Sequence, residues 1–179
     1  LHAYEEYGVD CLHKFNGMWA FALWDERERT LIIARDRLGI KPVCFTRVGD
    51  ALLFASEYKA LLECAEVDRE VDVQAIVHYT SQRYVGDSRS LFKHVRRLPP
   101  AHYLVFKEGQ CRLQRYWNLA LDEVEGGTDE ELVDEFAELF DDAVRLRTIS
   151  DVPVGAYLSG GLDSTSIIVE RLTSLGFGS

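Results

Sequence analysis

Val154-Gly155-Ala156-Tyr157-Leu158-Ser159-Gly160-Gly161-Leu162-Asp163-Ser164-Thr165-Ser166-Ile167-Ile168 is the stretch on which the reading of this chain turns. An apolar run, a small-residue turn and the first turn of an amphipathic pattern predict a strand that ends in Ser-Gly-Gly and feeds a helix. Such a turn directs unpaired backbone N–H groups and hydroxyls at one point, which suits an oligophosphate or pyrophosphate. The glycines permit a tight turn and close approach of backbone to ligand, while Ser159, Ser164 and Thr165 add donors without bulk. Asp163 is a carboxylate where an anion is expected, so it argues for Mg²⁺ bridging carboxylate and pyrophosphate. The loop lacks the lysine of a GxxxxGK[ST] loop, and Tyr157 stands where a G-x-S-x-G nucleophile elbow needs glycine; both readings fail. The plain alternative is a Gly-rich strand-to-helix turn with no ligand.

Composition bounds the rest. With 179 residues, 47% of them hydrophobic, the chain can build one domain and part of a second. Its longest apolar run, Met18 to Trp24, is too short to span a bilayer. No secretory leader and no initiator methionine precede Leu1, so the sequence is expected to be an internal piece of a longer protein. Cys11, Cys44, Cys64 and Cys111 are scattered, without C-x-x-C or histidine at ligand spacing, and read as reduced, mostly buried cysteines of a cytoplasmic protein. The net charge of −10 disfavours nucleic acid as a partner. Most of the excess lies in residues 128–148, where eight acids face Arg145 and Arg147, as on a solvated helix face.

Along the chain, Leu1–Val9 reads as the end of a helix stopped at Gly8. Met18–Asp25, apolar on both faces, and Thr30–Arg35 read as a hairpin across a short polar link, with two more strands at Val43–Thr46 and Leu52–Ala55. Four strands so closely connected predict one antiparallel sheet, sandwiched by other layers. Helices are expected near Glu57–Cys64 and Val73–Thr80, then a hairpin from Tyr103–Phe106 to Arg112–Trp117. Leu121–Gly127 is the best candidate linker. Thr128 and Glu131 then form a capping-box pair, and Leu132, Phe136, Leu139, Phe140, Ala143 and Val144 line one face of a long helix.

SGGLDS at a strand end resembles the pyrophosphate loop of the N-type ATP pyrophosphatases, and the longer Ser150-Asp151-Val152-Pro153-Val154-Gly155-Ala156-Tyr157-Leu158 lead-in is similar to that of glutamine-dependent asparagine synthetases. Independently, Phe15–Asp25, Ala34–Pro42, Phe54–Leu61, Leu98–Tyr103 and Tyr116-Trp117 resemble the C-terminal portion of a class II glutamine amidotransferase domain. Ala101 stands where glycine is usual, so the turn before Tyr103 is expected to differ.

The resemblance implies an αββα sandwich of the N-terminal-nucleophile type over residues 1–120, a linker at 121–127, and the start of an α/β adenine-nucleotide domain over 128–179. It implies ATP contacts from Leu158, Ser159, Gly160, Gly161, Leu162, Asp163 and Ser164, with Mg²⁺ on Asp163, L-aspartate and L-glutamine as further substrates, no nucleic acid or membrane partner, and a possible homodimer. Aspartate would be activated as β-aspartyl-AMP with release of pyrophosphate, and ammonia from glutamine would displace AMP. The family's glutaminase uses an N-terminal cysteine. No cysteine here is N-terminal, so no catalytic residue is assigned and no complete glutaminase site is expected in 1–179. The resemblance also places Met18 on a strand near an ammonia route, against the plainer reading of Met18 as core. Arg35, Asp36 and Glu57 read as paired structural charges. Related enzymes that amidate or cyclise another carboxylate, other ATP pyrophosphatases, and a non-catalytic homologue are the alternatives.

Overall fold

The computed structural model describes residues 1–86, 88–121 and 127–174, the last four by backbone only. Two compact units divide the chain, Leu1–Ala120 and Leu121–Ser179.

The first unit opens with α1 (His2–Tyr7), which stops at Gly8, whose φ of 57° places it in the left-handed region. A 3₁₀ turn and α2 (Cys11–Lys14) follow. The hairpin of β1 (Ala20–Asp25) and β2 (Thr30–Arg35) is pinned by Asp25, whose Oδ1 accepts from the N–H groups of Arg27 and Glu28 at 3.0 Å each. Next come β3 (Cys44–Val48), β4 (Ala51–Ala55), α3 (Tyr58–Leu62), α4 (Val73–Gln82), β5 (Arg96–Arg97), β6 (His102–Lys107) and β7 (Gln110–Arg115). Asp72 caps α4 by accepting from Gln74 and Ala75 N–H at 3.0 and 3.2 Å.

The first four strands do not share one sheet. β1 and β2 join a four-stranded antiparallel sheet in the order β1-β2-β6-β7, while β3 and β4 join β5 in a second sheet ordered β4-β3-β5. The cause is the turn at 36–42. It folds back on Asp36 and Arg35, and Pro42 offers no N–H to continue a ladder, so the chain leaves the first sheet and starts another. The partner of β2 is then β6, with Leu31 opposite Phe106 and Ala34 opposite Tyr103.

Strand alternation assigns each core to a layer. Ile32, Ala34 and Tyr103 face the helices, packing on Cys11 and Leu12. Ile33 and Leu104 point the other way and meet Val43 and Leu98, with Phe45 and Leu52 of the second sheet beside them. The outer face of that sheet buries Cys44 against Leu61 of α3 and against Val67 and Val95. The layers therefore run helix, sheet, sheet, helix. β1 was expected to be covered on both faces. As an edge strand it leaves Ala22 and Trp24 exposed, because the core between the sheets reaches Ala20 and no further along it.

In the second unit, α5 (Asp129–Arg147) starts with the anticipated capping box: Glu131 N–H donates to Thr128 Oγ1 at 3.3 Å and Thr128 N–H to Glu131 Oε2 at 2.8 Å. Of its apolar face only Val144 is buried, while Phe136 and Leu139 lie two-thirds exposed. α6 (Leu162–Ser174) packs on α5. The strand expected at 154–158 does not form; these residues run without a ladder partner among the described residues, and a strand has no independent stability without neighbours. Of the expected linker, residues 122–126 lie outside the described residues.

Candidate functional site

The loop that opens α6 gathers Ser159 to Ser164 into one small structure. Gly160 takes a φ of 78°, a conformation open to glycine at little cost, whereas Gly161 needs no positive φ. Ser164 donates its hydroxyl to Gly161 O at 3.1 Å, so the 2.9 Å contact between the Ser159 and Ser164 hydroxyls is a donation from Ser159. Gly161 N–H in turn reaches Ser159 Oγ at 3.4 Å. Thr165 spends both its N–H, at 3.1 Å, and its hydroxyl, at 2.8 Å, on Gly161 O. In this structure all three hydroxyls bond within the loop.

The donors left over are backbone N–H groups. Those of Leu162, Asp163 and Ser164 belong to the first turn of α6, where no residue four positions earlier can bond them, and they have no partner among the described residues. Together with the positive end of the helix dipole they favour an anion. The Asp163 carboxylate stands exposed beside them with no hydrogen bond or ion pair among the described residues. It is therefore available to a cation. Leu158 and Leu162 flank the loop at 61% and 84% exposure, offering apolar surface next to the polar donors. A cavity of about 900 Å³ lies among α5, residues 152–156 and α6, lined by Val144, Val152, Val154, Ile167 and Ile168 among others.

The first unit holds a different arrangement at Arg35 and Asp36. Asp36 is buried, and its Oδ1 accepts from Ile40 N–H at 2.9 Å while Oδ2 accepts from Lys41 at 3.0 Å and Trp19 at 3.3 Å. Burial alone would push this carboxyl up; the N–H groups of Lys41, Ile40, Trp19 and Gly39 outweigh it and hold the carboxyl below its ordinary range. Arg35 donates to the carbonyls of Lys41 (2.7 Å), Leu98 (2.6 Å) and Gly39. Tyr116 closes the cluster by donating to Arg35 O at 2.9 Å, and burial pushes its hydroxyl up to about 12.

These charges were expected to persist as ion pairs. Arg35 and Asp36 are instead satisfied by backbone dipoles, of the 36–42 turn and of Trp19 and Leu98, while Glu57 is an exposed ion-pair partner of Lys59 at 2.8 Å. A cavity of about 430 Å³, lined by Arg35, Cys44, Glu57, Tyr58 and Arg97, adjoins them. All four cysteines are free; Cys11 and Cys44 are buried, Cys64 and Cys111 partly so. Met18 lies before β1 rather than on it, 40% exposed, and so belongs to neither the strand nor the core. Ala101 adopts a φ of 59°, a glycine-type conformation held by an alanine. No helix among the described residues is long and apolar enough to cross a membrane.

Comparison with known proteins places these features in a context. The pattern of the glutamine amidotransferase domain family matches residues 1–117, and that of the asparagine synthase family matches residues 135–169. Asparagine synthetase [glutamine-hydrolyzing] 3 of Bacillus subtilis is 41% identical over 93% of this chain, which corresponds to 27% of that protein. A putative asparagine synthetase [glutamine-hydrolyzing] 2 of Methanocaldococcus jannaschii is 34% identical, covering 94% of this chain and 33% of its own length. Amidase chyE of Penicillium rubens is 36% identical over 92% of this chain and 24% of that protein. The chain thus spans about a quarter to a third of the length of the curated relatives it matches.

Proposed function

Since the chain belongs to the glutamine amidotransferase domain family through residues 1–117, we propose that it is part of a glutamine-dependent asparagine synthetase. The observation that carries this is the order of two unlike regions in one chain: an amidotransferase region, then an anion-ready loop within a segment resembling asparagine synthase. In this reading residues 1–120 are the C-terminal part of a glutaminase domain of αββα N-terminal-nucleophile type. Residues 121–127 are a linker, and 128–179 open the ATP-binding domain.

The reaction divides between the two parts. Glutamine hydrolysis, to which none of the described residues is assigned, supplies the ammonia. In the synthetase part, a β-carboxylate oxygen of aspartate attacks the α-phosphorus of ATP. The bond to the β-phosphate breaks, and pyrophosphate leaves. Ammonia then attacks the acyl carbon of β-aspartyl-AMP, forming asparagine and releasing AMP. The backbone N–H groups of Leu162, Asp163 and Ser164 take the departing phosphates, with Ser159, Gly160 and Gly161 letting them approach, and Leu158 and Leu162 provide apolar flanks. Asp163 fits a Mg²⁺ ion because its carboxylate is unengaged beside those donors; the ion would offset charge building on the leaving pyrophosphate. In this reading the protein acts on small molecules in the cytoplasm, without membrane or nucleic acid.

A second reading is favoured by relatives named amidases at comparable identity, amidase chyE at 36% and amidase chry2 of Gibberella zeae at 34%. There the acceptor is a carboxylate other than that of aspartate. Product analysis on the full-length protein decides: with ATP, Mg²⁺, aspartate and glutamine, asparagine, AMP and pyrophosphate should form in equal amounts. Pyrophosphate release only with a different carboxylate would favour the amidase reading, and ADP with phosphate as products would end both.

A further inference from the structure

Away from both regions, Asp68, Glu70 and His94 converge on the surface of the first unit. Val71 bridges Phe92 antiparallel, with Asp72 N–H donating to Leu91 O and Lys93 N–H to Glu70 O, both at 2.9 Å. Asp68 Oδ1 accepts from Glu70 N–H at 2.8 Å, which draws its carboxylate onto the Glu70 segment and leaves Oδ2 to face His94. His94 sits in the turn of the opposing segment. Its carbonyl is held by the Thr46 hydroxyl at 2.7 Å, and the next residue, Val95, is fully buried.

The imidazole Nε2 lies 3.2 Å from Asp68 Oδ2 and 3.9 Å from Glu70 Oε2, and the three ligand atoms fall within 4.8 Å of one another. A single Nε2–H can donate to only one of these carboxylates, whereas a cation can serve all three groups at once. Nor does charge pairing account for the convergence, since side chains about half exposed gain little from an ion pair. In a tetrahedral zinc site with bonds of about 2.0–2.1 Å, neighbouring ligand atoms stand about 3.3 Å apart; the Asp68–His94 separation matches this, and Glu70 Oε2, at 3.9 Å, would move inward to join them. Lys93 pairs with Glu70 through Oε1 and leaves Oε2 free.

We propose that Asp68, Glu70 and His94 form a surface site for a divalent transition metal of the zinc type, with water completing its coordination. The imidazole sets the class, because calcium and magnesium prefer oxygen-only sets. The metal would clip the base of the 72–91 excursion, which carries α4, alongside the backbone bonds around Val71 and Phe92 and the contacts of Arg89 with Asp72 and Gln74.

The test is titration of metal-stripped full-length protein with Zn²⁺ by calorimetry and with Co²⁺ by visible absorption, alongside His94→Ala and Asp68→Asn. The wild type is expected to bind one more equivalent than His94→Ala, with cobalt bands and an imidazole ¹⁵N shift at His94, and Asp68→Asn to bind that equivalent at least tenfold more weakly. Zinc should also raise the melting temperature of the wild type more than that of either variant. Should His94→Ala fold poorly, the isosteric Asp68→Asn and a His94→Gln variant carry the same comparison. Equal uptake by wild type and variants, or no uptake by the wild type, would overturn the proposal and leave an exposed ion pair only.

Discussion

Asp36 and Asp163 stand in two short glycine-bearing loops that treat backbone N–H groups in opposite ways. Around Asp36 the donors point inward: Ile40 and Lys41 of the loop, joined by Trp19 from the segment before β1, all bond the buried carboxylate, and Arg35 takes up the carbonyls of Gly39, Lys41 and Leu98. Around Asp163 the loop turns its donors outward, with the Ser164 and Thr165 hydroxyls bonded to Gly161 O, that of Ser159 to Ser164, and the N–H groups of residues 162–164 left open. The first arrangement is complete without a ligand. The second is stable only because water, or an anion, can reach it. A buried charge whose partners are all backbone reads as structure, and an exposed charge beside unbonded donors reads as a binding site.

Removing the carboxylate should separate the two loops most sharply in stability. Asp36→Ala strands buried N–H groups and is expected to cost about 3–5 kcal/mol in chemical unfolding of the full-length protein. The ionised carboxyl is the stabilising form, since its folded pKa is depressed. That contribution is present above the unfolded value, about pH 3.9, and is lost as pH falls through the folded one. Melting curves of Asp36→Asn between about pH 5 and 2.5 should therefore show a shallower acid slope than the wild type. An unchanged slope would mean that the inward-facing donors do not bind the carboxylate in solution.

The glycines give a smaller contrast of the same kind. Gly39, at φ 67°, would place a Cβ 2.8 Å from Pro100 Cγ and 3.0 Å from Arg35 Cζ, whereas Gly160, at φ 78°, has nothing within 4 Å. Gly39→Ala should cost about 3 kcal/mol, backbone strain plus a clash. Gly160→Ala should cost only the strain, about 1 kcal/mol. Equal losses would show that the loop before α6 is as closely packed as the turn after β2.

Much of this was open to sequence reading where the signal is local. The Thr128–Glu131 capping box, the stop at Gly8 and the β1–β2 and β6–β7 hairpins each depend on residues a few positions apart. The pairing of β2 with β6 was hidden, because it joins segments about seventy residues apart and nothing near β2 names its partner. The split into two sheets could have been suspected from Arg35-Asp36 followed by Gly39 and Pro42, a pattern of acceptor, tight turn and missing donor that ends a ladder. At the candidate site the sequence shows the loop and its donors, and the structure adds how they are engaged. Which hydroxyls face a ligand depends on rotamers, and Ser164 and Thr165 spend theirs on Gly161 O. The expected strand before the loop lacks a neighbour to hydrogen-bond, which no local pattern can supply.

The outward-facing loop is tested most directly at Asp163. Asp163→Asn keeps the shape and the exposed setting while removing the charge that would hold Mg²⁺, so carboxylate-dependent exchange of pyrophosphate into ATP by the full-length protein should fall at least about a hundredfold. The melting temperature, measured on the same preparation, should stay within about a degree, as for other exposed substitutions. Exchange at the wild-type rate in a folded Asp163→Asn protein would contradict the account.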